Sequence, residues 1–354
     1  MRQAYTFDDV LLVPKKGVLE ARKDADISSE LVAGYKLDVP IISANMPSVT
    51  DSRMANAMYS AGGFGILHRF HSLGEQIREY EEVLLDMRDA AVSIGLVDGL
   101  ERTKKLAACG CRIFCLDIAH GHTGRAYNFI KEFRTTFGSQ YAIIAGNVAT
   151  YEAAEYLINA GVHAIKVGIG PGAACRTREV TGFGVPQLTA IMEVARANAY
   201  WKNPVRIIAD GGIKNSGDIV KALAAGADTV MIGSLLAGCN EAPNPGEYYG
   251  NASEHVNGHR APEGTYGKVE LTGSVGDVIK ELAWGIRSGI SYGGATNIAE
   301  LRENAEFIQV TAAGQYESQT RLQELKSYGE TFILESGAGK RFRYNMVEGG
   351  LDED

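Results

Sequence analysis

The sequence predicts an α/β chain folded as one (β/α)8 barrel, and three observations carry that prediction. Eight short apolar runs recur, each ending in glycine or a polar residue, at 39–46, 63–70, 91–97, 112–122, 141–148, 163–170, 205–212 and 228–234. Between most of them lie amphipathic stretches such as SRMANAMYSA, TYEAAEYLINAG and SGDIVKALAAGA. Strands that are apolar throughout and alternate with helices indicate a parallel sheet covered on both faces, and eight such units fit a closed barrel better than an open doubly wound sheet. The third observation is where the polar residues fall. Asn45, His68, Arg69, Asp117, Asn147, the Cys175 loop, Asp210 and Ser234 follow the apolar runs, at the carboxyl ends where a barrel gathers its active site.

The composition is that of a globular chain: 354 residues with 45% hydrophobic and 22% charged give ample length for a sizeable core. A net charge of -8 and the lack of a basic stripe exclude a nucleic-acid binder, so an anionic ligand has to be held by local groups. The cysteines, Cys109, Cys111, Cys115, Cys175 and Cys239, are odd in number and lack paired zinc-type spacings. A reduced, cytoplasmic chain is therefore expected rather than a disulfide-built one. No run is long enough to span a membrane, and the first residues lack the pattern of a secretory leader.

Two segments depart from the strand–helix repeat. One runs from Ile169 to Pro186, after the sixth strand; the other is a long flap after the eighth, from Ala237 to Lys280, rich in Gly, Pro, Asn and His. A long segment with little helix character beside a barrel mouth is expected to be functional. The following stretch is expected to form a helix, a glycine turn, a second helix and a short strand that close the barrel. The expected single catalytic domain covers 1–318, with a polar, solvated extension over 319–354.

The stretch KVGIGPGAACRTREVTGFGVPQL carries the chemistry. Its glycines let backbone approach a ligand and offer N–H groups. Cys175 follows, flanked by Arg176, Thr177 and Arg178, and a thiol beside two guanidinium groups has reason to ionise and act as a nucleophile. The strand-seven and strand-eight ends, Asp210-Gly211-Gly212 and Gly233-Ser234, fit a phosphate cradle, with Asp210 accepting from ribose hydroxyls. The flap sequence YYGNAS offers further donors. Asp117 can accept a hydrogen bond from a cofactor amide. His120 and His122 form an HxH pair without a third ligand at a clear spacing, so hydrogen-bonding roles are expected of them. Glu263, in HRAPEGTYG, can reach over the mouth and relay a proton with Thr177.

Over essentially its first 318 residues the chain resembles the IMP dehydrogenase/GMP reductase family. The matching stretches, in order, are TFDDVLLVP, PIISANM, DIAHGH, AGNVAT, KVGIGPG-x-x-C-x-T, ADGGI, MIGSLLAG and RSGISYGGAT. The resemblance implies the same barrel and makes Cys175 the residue that adds to C2 of the purine, giving a covalent thioimidate. It implies nucleotide contacts from Asp210, Gly211, Gly212, Gly233, Ser234, Gly250, Asn251, Arg260 and Gly264. It implies cofactor contacts from Arg69, Asp117, Ile118, Ala119, Asn147 and Gly168. It also implies a potassium ion on the carbonyls of Gly170, Gly172 and Cys175, GMP or IMP as ligand, and a homotetramer. The branch is read from the flap, which lacks the Arg-Tyr pair with which dehydrogenases activate water. That absence, with ILHRF and TGFG, resembles a GMP reductase using NADPH; Thr177 and Glu263 then protonate the departing amino group. The stretches GVPQLTAI and ELRENAEFIQVTAAGQYES resemble dehydrogenases instead, and Arg176 stands where both branches commonly have Thr. An IMP dehydrogenase without the inserted CBS modules, and a nucleotide binder without turnover, are the competing expectations.

Overall fold

The computed structural model describes residues 1–86, 88–258 and 263–318, and beyond them the strands Thr331–Glu335, Arg341–Asn345 and Gly350–Glu353. Eight parallel strands close into a barrel: β1 (Ile41–Ser43), β2 (Phe64–Leu67), β3 (Ala91–Ile94), β4 (Ile113–Asp117), β5 (Ala142–Val148), β6 (Ala164–Val167), β7 (Arg206–Asp210) and β8 (Thr229–Ile232). Pairing of Val230 with Ile41 and Ile232 with Ser43 joins β8 back to β1. All eight fall inside the predicted apolar runs and are shorter than them, because the polar residues at the carboxyl ends leave the ladder to form the mouth.

Each strand is followed by a helix: α1 (Ser52–Ser60), α2 (Leu73–Leu85), α3 (Gly99–Ala108), α4 (Gly124–Phe137), α5 (Tyr151–Ala160), α6 (Gln187–Ala199), α7 (Ser216–Ala224) and α8 (Val275–Tyr292). Local chemistry starts most of them. Asp51, Thr123, Thr150, Asn215 and Ser274 each accept a main-chain N–H of the first turn, and Ser72 forms a capping box with Glu75. Only residues 68–72 separate β2 from α2. The barrel interior and the strand–helix layer form one core, in which residues such as Ile41, Phe64, Phe114, Ile144 and Val230 are fully buried.

Two expectations about the periphery are corrected. The strand Phe307–Gln309 does not close the barrel; it pairs antiparallel with Val10–Leu12, tying the two ends of the barrel unit together outside it. The flap ends at Ser274, which caps α8, rather than at Lys280. Within the flap β9 (Glu247–Tyr249) pairs antiparallel with β10 (Tyr266–Lys268). The chain divides into two compact units, Met1–Val310 and Thr311–Asp354. The second holds the helix Ala312–Glu317 and, within the stretch 319–354 expected as a solvated extension, a three-stranded antiparallel sheet. TFILE carries three apolar residues in a row and RFRYN alternates polar and apolar ones, both over stretches too short to stand out against a polar tail.

Candidate active site

The mouth of the barrel holds a cavity of about 370 Å3. Arg69, Asp117, Ile118, Ala119, Asn147, Gly168, Gly170, Gly172, Cys175, Thr177, Asp210, Gly211, Gly233, Gly250, Asn251, Glu263 and Gly264 all line it. A neighbouring cavity of about 260 Å3 shares Gly172, Gly211 and Gly233 and adds Gly212 and Ser234. Every site residue expected from the sequence therefore borders one of these two spaces except Arg260, which lies outside the described residues.

Of the five cysteines, Cys175 is the one that lines this cavity. Burial raises the pKa of Cys111 and Cys239 and pushes Cys115 up to about 12, holding all three as thiols within the core. Cys175 instead faces the cavity, with its sulfur donating to Thr177 Oγ1 at 3.2 Å. Thr177 Oγ1 in turn donates to Glu263 Oε2 at 2.8 Å. The expected influence of the two arginines on this thiol is not what the geometry shows. Arg176 pairs with Glu179 on the short helix Thr177–Thr181, and Arg178 donates to the Val185 carbonyl. Thr177 and Glu263 are the sulfur's polar neighbours instead.

Glu263 comes from 86 residues further along the chain than Thr177, and the backbone explains how it arrives. Arg176 N–H donates to the Glu263 carbonyl at 2.6 Å, and Thr265 N–H donates to the Ala174 carbonyl at 2.9 Å. These two bonds straddle Cys175 and pair it antiparallel with Gly264. A Cβ at Gly264 would stand 2.8 Å from Ser253 N, and one at Gly250 3.1 Å from the Ala174 carbonyl oxygen. These glycines thus let the flap lie flat on the cysteine loop.

After β7, Gly211 and Gly212 adopt left-handed φ values of 91° and 80°, a turn that side chains strain to make. Among the described residues, no protein acceptor is found for the main-chain N–H of Gly212 or Ser234, so both are available to an anion. Tyr248, on β9, was missed as an individual residue, although its YYGNAS stretch was singled out. It is buried against Gly233, among the described residues its hydroxyl bonds the Met46 sulfur at 3.8 Å, and burial raises its pKa, keeping the hydroxyl a donor.

A buried ion network links the two sides of the mouth. Lys166, on β6, reaches Asp210 Oδ2 at 2.7 Å and Asp117 Oδ1 at 3.6 Å, and Arg69 Nε lies 3.6 Å from Asp117 Oδ2. Burial opposes the Lys166 charge, but Asp210 and Asp117 outweigh it and raise its pKa above the ordinary lysine value. Asn147 Nδ2 donates to Asp210 Oδ2 at 2.9 Å and to the Gly168 carbonyl at 2.8 Å, so its amide braces Asp210 against the loop after β6. Arg69 Nε donates to the main-chain oxygen of Asp117 at 3.1 Å, and among the described residues neither carboxylate oxygen of Asp117 is within hydrogen-bonding distance of a cation, so both keep acceptor capacity for an amide. Lys166 was missed as a site residue; the available signal was a lysine inside an otherwise apolar barrel strand, since buried lysines are paired. Among the described residues no group of three His, Cys, Asp or Glu is arranged to hold a metal, and no helix is long and apolar enough to cross a membrane.

A family model described as the IMP dehydrogenase / GMP reductase domain matches residues 4–321. Similar proteins include one named inosine-5'-monophosphate dehydrogenase from Borreliella burgdorferi, 34% identical over 394 aligned residues that cover 90% of this chain and 96% of that protein. Proteins of the same name from Nitrosopumilus maritimus and Methanocaldococcus jannaschii are 32% and 33% identical, again over 90% of this chain and over 98% and 95% of their own lengths. Those two alignments extend over 470 and 475 residues, well beyond the 354 of this chain, so each of these relatives has a long internal stretch without a counterpart here.

Proposed function

Because this chain belongs to the IMP dehydrogenase/GMP reductase family and is thus an oxidoreductase acting on purine nucleotides, we propose that it is a GMP reductase, converting GMP to IMP and ammonia. The observation that carries the proposal is the unbroken relay from Cys175 Sγ through Thr177 Oγ1 to Glu263 Oε2.

In this reading the phosphate rests on Gly211, Gly212, Gly233 and Ser234, with the Tyr248 hydroxyl beside it. The ribose hydroxyls donate to Asp210, whose Oδ2 is already taken by Lys166 and Asn147, leaving Oδ1 for the ligand. Gly250, Asn251 and Gly264 are the proposed flap contacts to the base, together with Arg260, which lies outside the described residues. The Cys175 sulfur adds to purine C2, forming a C–S bond. Its proton passes through Thr177 to Glu263, which returns a proton to the 2-amino group, and the C–N bond breaks to release ammonia. A carboxylate reached through a hydroxyl suits proton delivery to a nitrogen leaving group. Asp117, Ile118, Ala119 and Arg69 would hold a nicotinamide dinucleotide, NADPH in this reading, with the open acceptors of Asp117 meeting its amide. When bound it supplies the hydride that replaces the amino group at C2, whereupon the C–S bond breaks and the thiolate leaves. The main-chain oxygens of Gly170, Gly172 and Cys175 are the proposed donors to a potassium ion, a cation that carbonyl oxygens suit, and a homotetramer is the proposed assembly.

The names of the relatives favour a second reading, oxidation of IMP to XMP with NAD. It uses the same thioimidate but needs water activated at C2, and the flap carries no Arg-Tyr pair for that step. A paired assay, GMP with NADPH against IMP with NAD, followed by absorbance of the reduced cofactor, separates the two. Consumption of NADPH with release of ammonia is expected; rapid, sustained XMP formation overturns the assignment in favour of the dehydrogenase.

A further inference from the structure

Lys166 lies between two carboxylates with different proposed duties. Its side chain is 4% exposed, on the strand between those that carry Asn147 and Asp210. The ammonium lies 2.7 Å from Asp210 Oδ2 and 3.6 Å from Asp117 Oδ1. Asp210 Oδ2 also receives Asn147 at 2.9 Å, while among the described residues Oδ1 receives nothing. One oxygen of Asp210 is thus anchored from two directions and the other is left facing the cavity. Deep in the barrel an ammonium hydrogen-bonded to a carboxylate fixes that carboxylate's rotamer and keeps it charged, because the alternative is an unpaired buried charge.

We propose that Lys166 is a positioning residue that holds Asp210 turned with Oδ1 toward the nucleotide, so that discrimination for ribose hydroxyls depends on this lysine as well as on the aspartate that receives them. The inference rests on the proposed placement of ribose at Asp210. Its signature is specific: loss of Lys166 removes the benefit of having 2′- and 3′-hydroxyls and leaves the phosphate and base contacts in place. General damage to the mouth weakens all nucleotides alike.

The test measures dissociation constants calorimetrically for IMP and for its 2′,3′-dideoxy form. IMP is a substrate or product in either direction of the family chemistry, so the result does not depend on which is run. The unmodified protein is expected to prefer IMP by about tenfold or more, the scale of hydrogen bonds to a charged acceptor. Asp210→Asn is expected to lose most of that preference; if it keeps it, the ribose placement itself is wrong, independently of Lys166. Lys166→Met is expected to lose the preference to a similar extent while binding the dideoxy nucleotide within about threefold of the unmodified protein. Removing the lysine leaves two carboxylates facing each other, which can prevent folding. Lys166→Met/Asp117→Asn relieves that repulsion without altering Asp210 and is expected to show the same loss. With Asp210→Asn behaving as expected, an unchanged preference for IMP in the folded Lys166 variants overturns the proposal. So does an equal loss of both nucleotides.

Discussion

Replacing Glu263 by Gln separates proton transfer from hydrogen bonding at the nucleophile. The geometry makes the substitution nearly silent in shape. Thr177 Oγ1 donates to Glu263 Oε2 at 2.8 Å, and the amide oxygen of Gln can accept that same bond. The flap stays in place because it is held to the cysteine loop through main-chain groups, Arg176 N–H to the Glu263 carbonyl and Thr265 N–H to the Ala174 carbonyl. The static cost is therefore that of exchanging a charged acceptor for a neutral one, about 1 kcal/mol or roughly fivefold in rate. Loss of a positioned general acid or base costs about 10²–10⁴-fold, so the two contributions are well separated. With GMP and NADPH, single-turnover release of ammonia is expected to slow by about 10²-fold or more. Hydride transfer between IMP and oxidised cofactor, which starts from a ligand with no 2-amino group to expel, is expected to suffer less. Ammonia release within tenfold of the unmodified rate would show that Glu263 supports the loop and moves no proton.

Two further outcomes are expected. Cys175→Ala abolishes turnover yet leaves nucleotide affinity within about tenfold, since the covalent bond is lost while phosphate and ribose contacts persist; mass spectrometry of the unmodified protein trapped during turnover finds the adduct on Cys175, and substantial residual turnover in the variant removes that residue from the mechanism. The buried His68 has its pKa pulled down to about 3, by burial first and by neighbouring His71 second. The unfolded chain takes up a proton on this residue below about pH 6.5, whereas the folded one does not until about pH 3. The contribution is therefore fully present above pH 6.5 and is lost progressively as pH falls toward 3, by about 2 kcal/mol between pH 7 and 5. Urea unfolding at those two pH values measures it, and His68→Gln flattens the dependence; identical slopes with and without the histidine would refute the assignment.

How far the sequence was legible depended on whether a feature was local. Barrel strands buried on both faces read as apolar runs, so all eight were visible, and the polar residues ending each run pointed to the mouth. Helix starts were equally local, as at Ser72 with Glu75 three residues on. The site was harder to read where contacts are distant. Arg176 and Arg178 neighbour Cys175 in sequence, and proximity along the chain suggested that they tune it; in space their guanidinium groups turn to Glu179 and Val185. Lys166 hid inside a strand because only the fold reveals that two carboxylates converge on it, Asp210 from the adjacent β7 and Asp117 from β4, two strands away. The pairing of Phe307–Gln309 with Val10–Leu12 joins segments almost three hundred residues apart in the numbering, and no periodicity in either stretch announces the partner.

The flap shows why a short sequence match to the cysteine loop does not fix the direction of the chemistry. The loop supplies the nucleophile and Thr177, and both directions need them. What differs is the group brought to C2 by the segment after β8, and that segment is set by its own backbone. Gly264 pairs with Cys175, Gly250 N–H donates to the Thr265 carbonyl at 3.1 Å, and β9 with β10 braces the two sides. Glu263 is thereby held one residue from the pairing partner of the nucleophile, and its carboxylate reaches sulfur through a single hydroxyl. Such an arrangement serves an atom that must gain a proton as it leaves. Activating water instead requires a second base on the flap, and the sequence from Tyr248 to Glu263 has no Arg-Tyr pair to furnish the one that dehydrogenases use. In the proposed reading, the balance between reduction and oxidation at C2 is set by the flap.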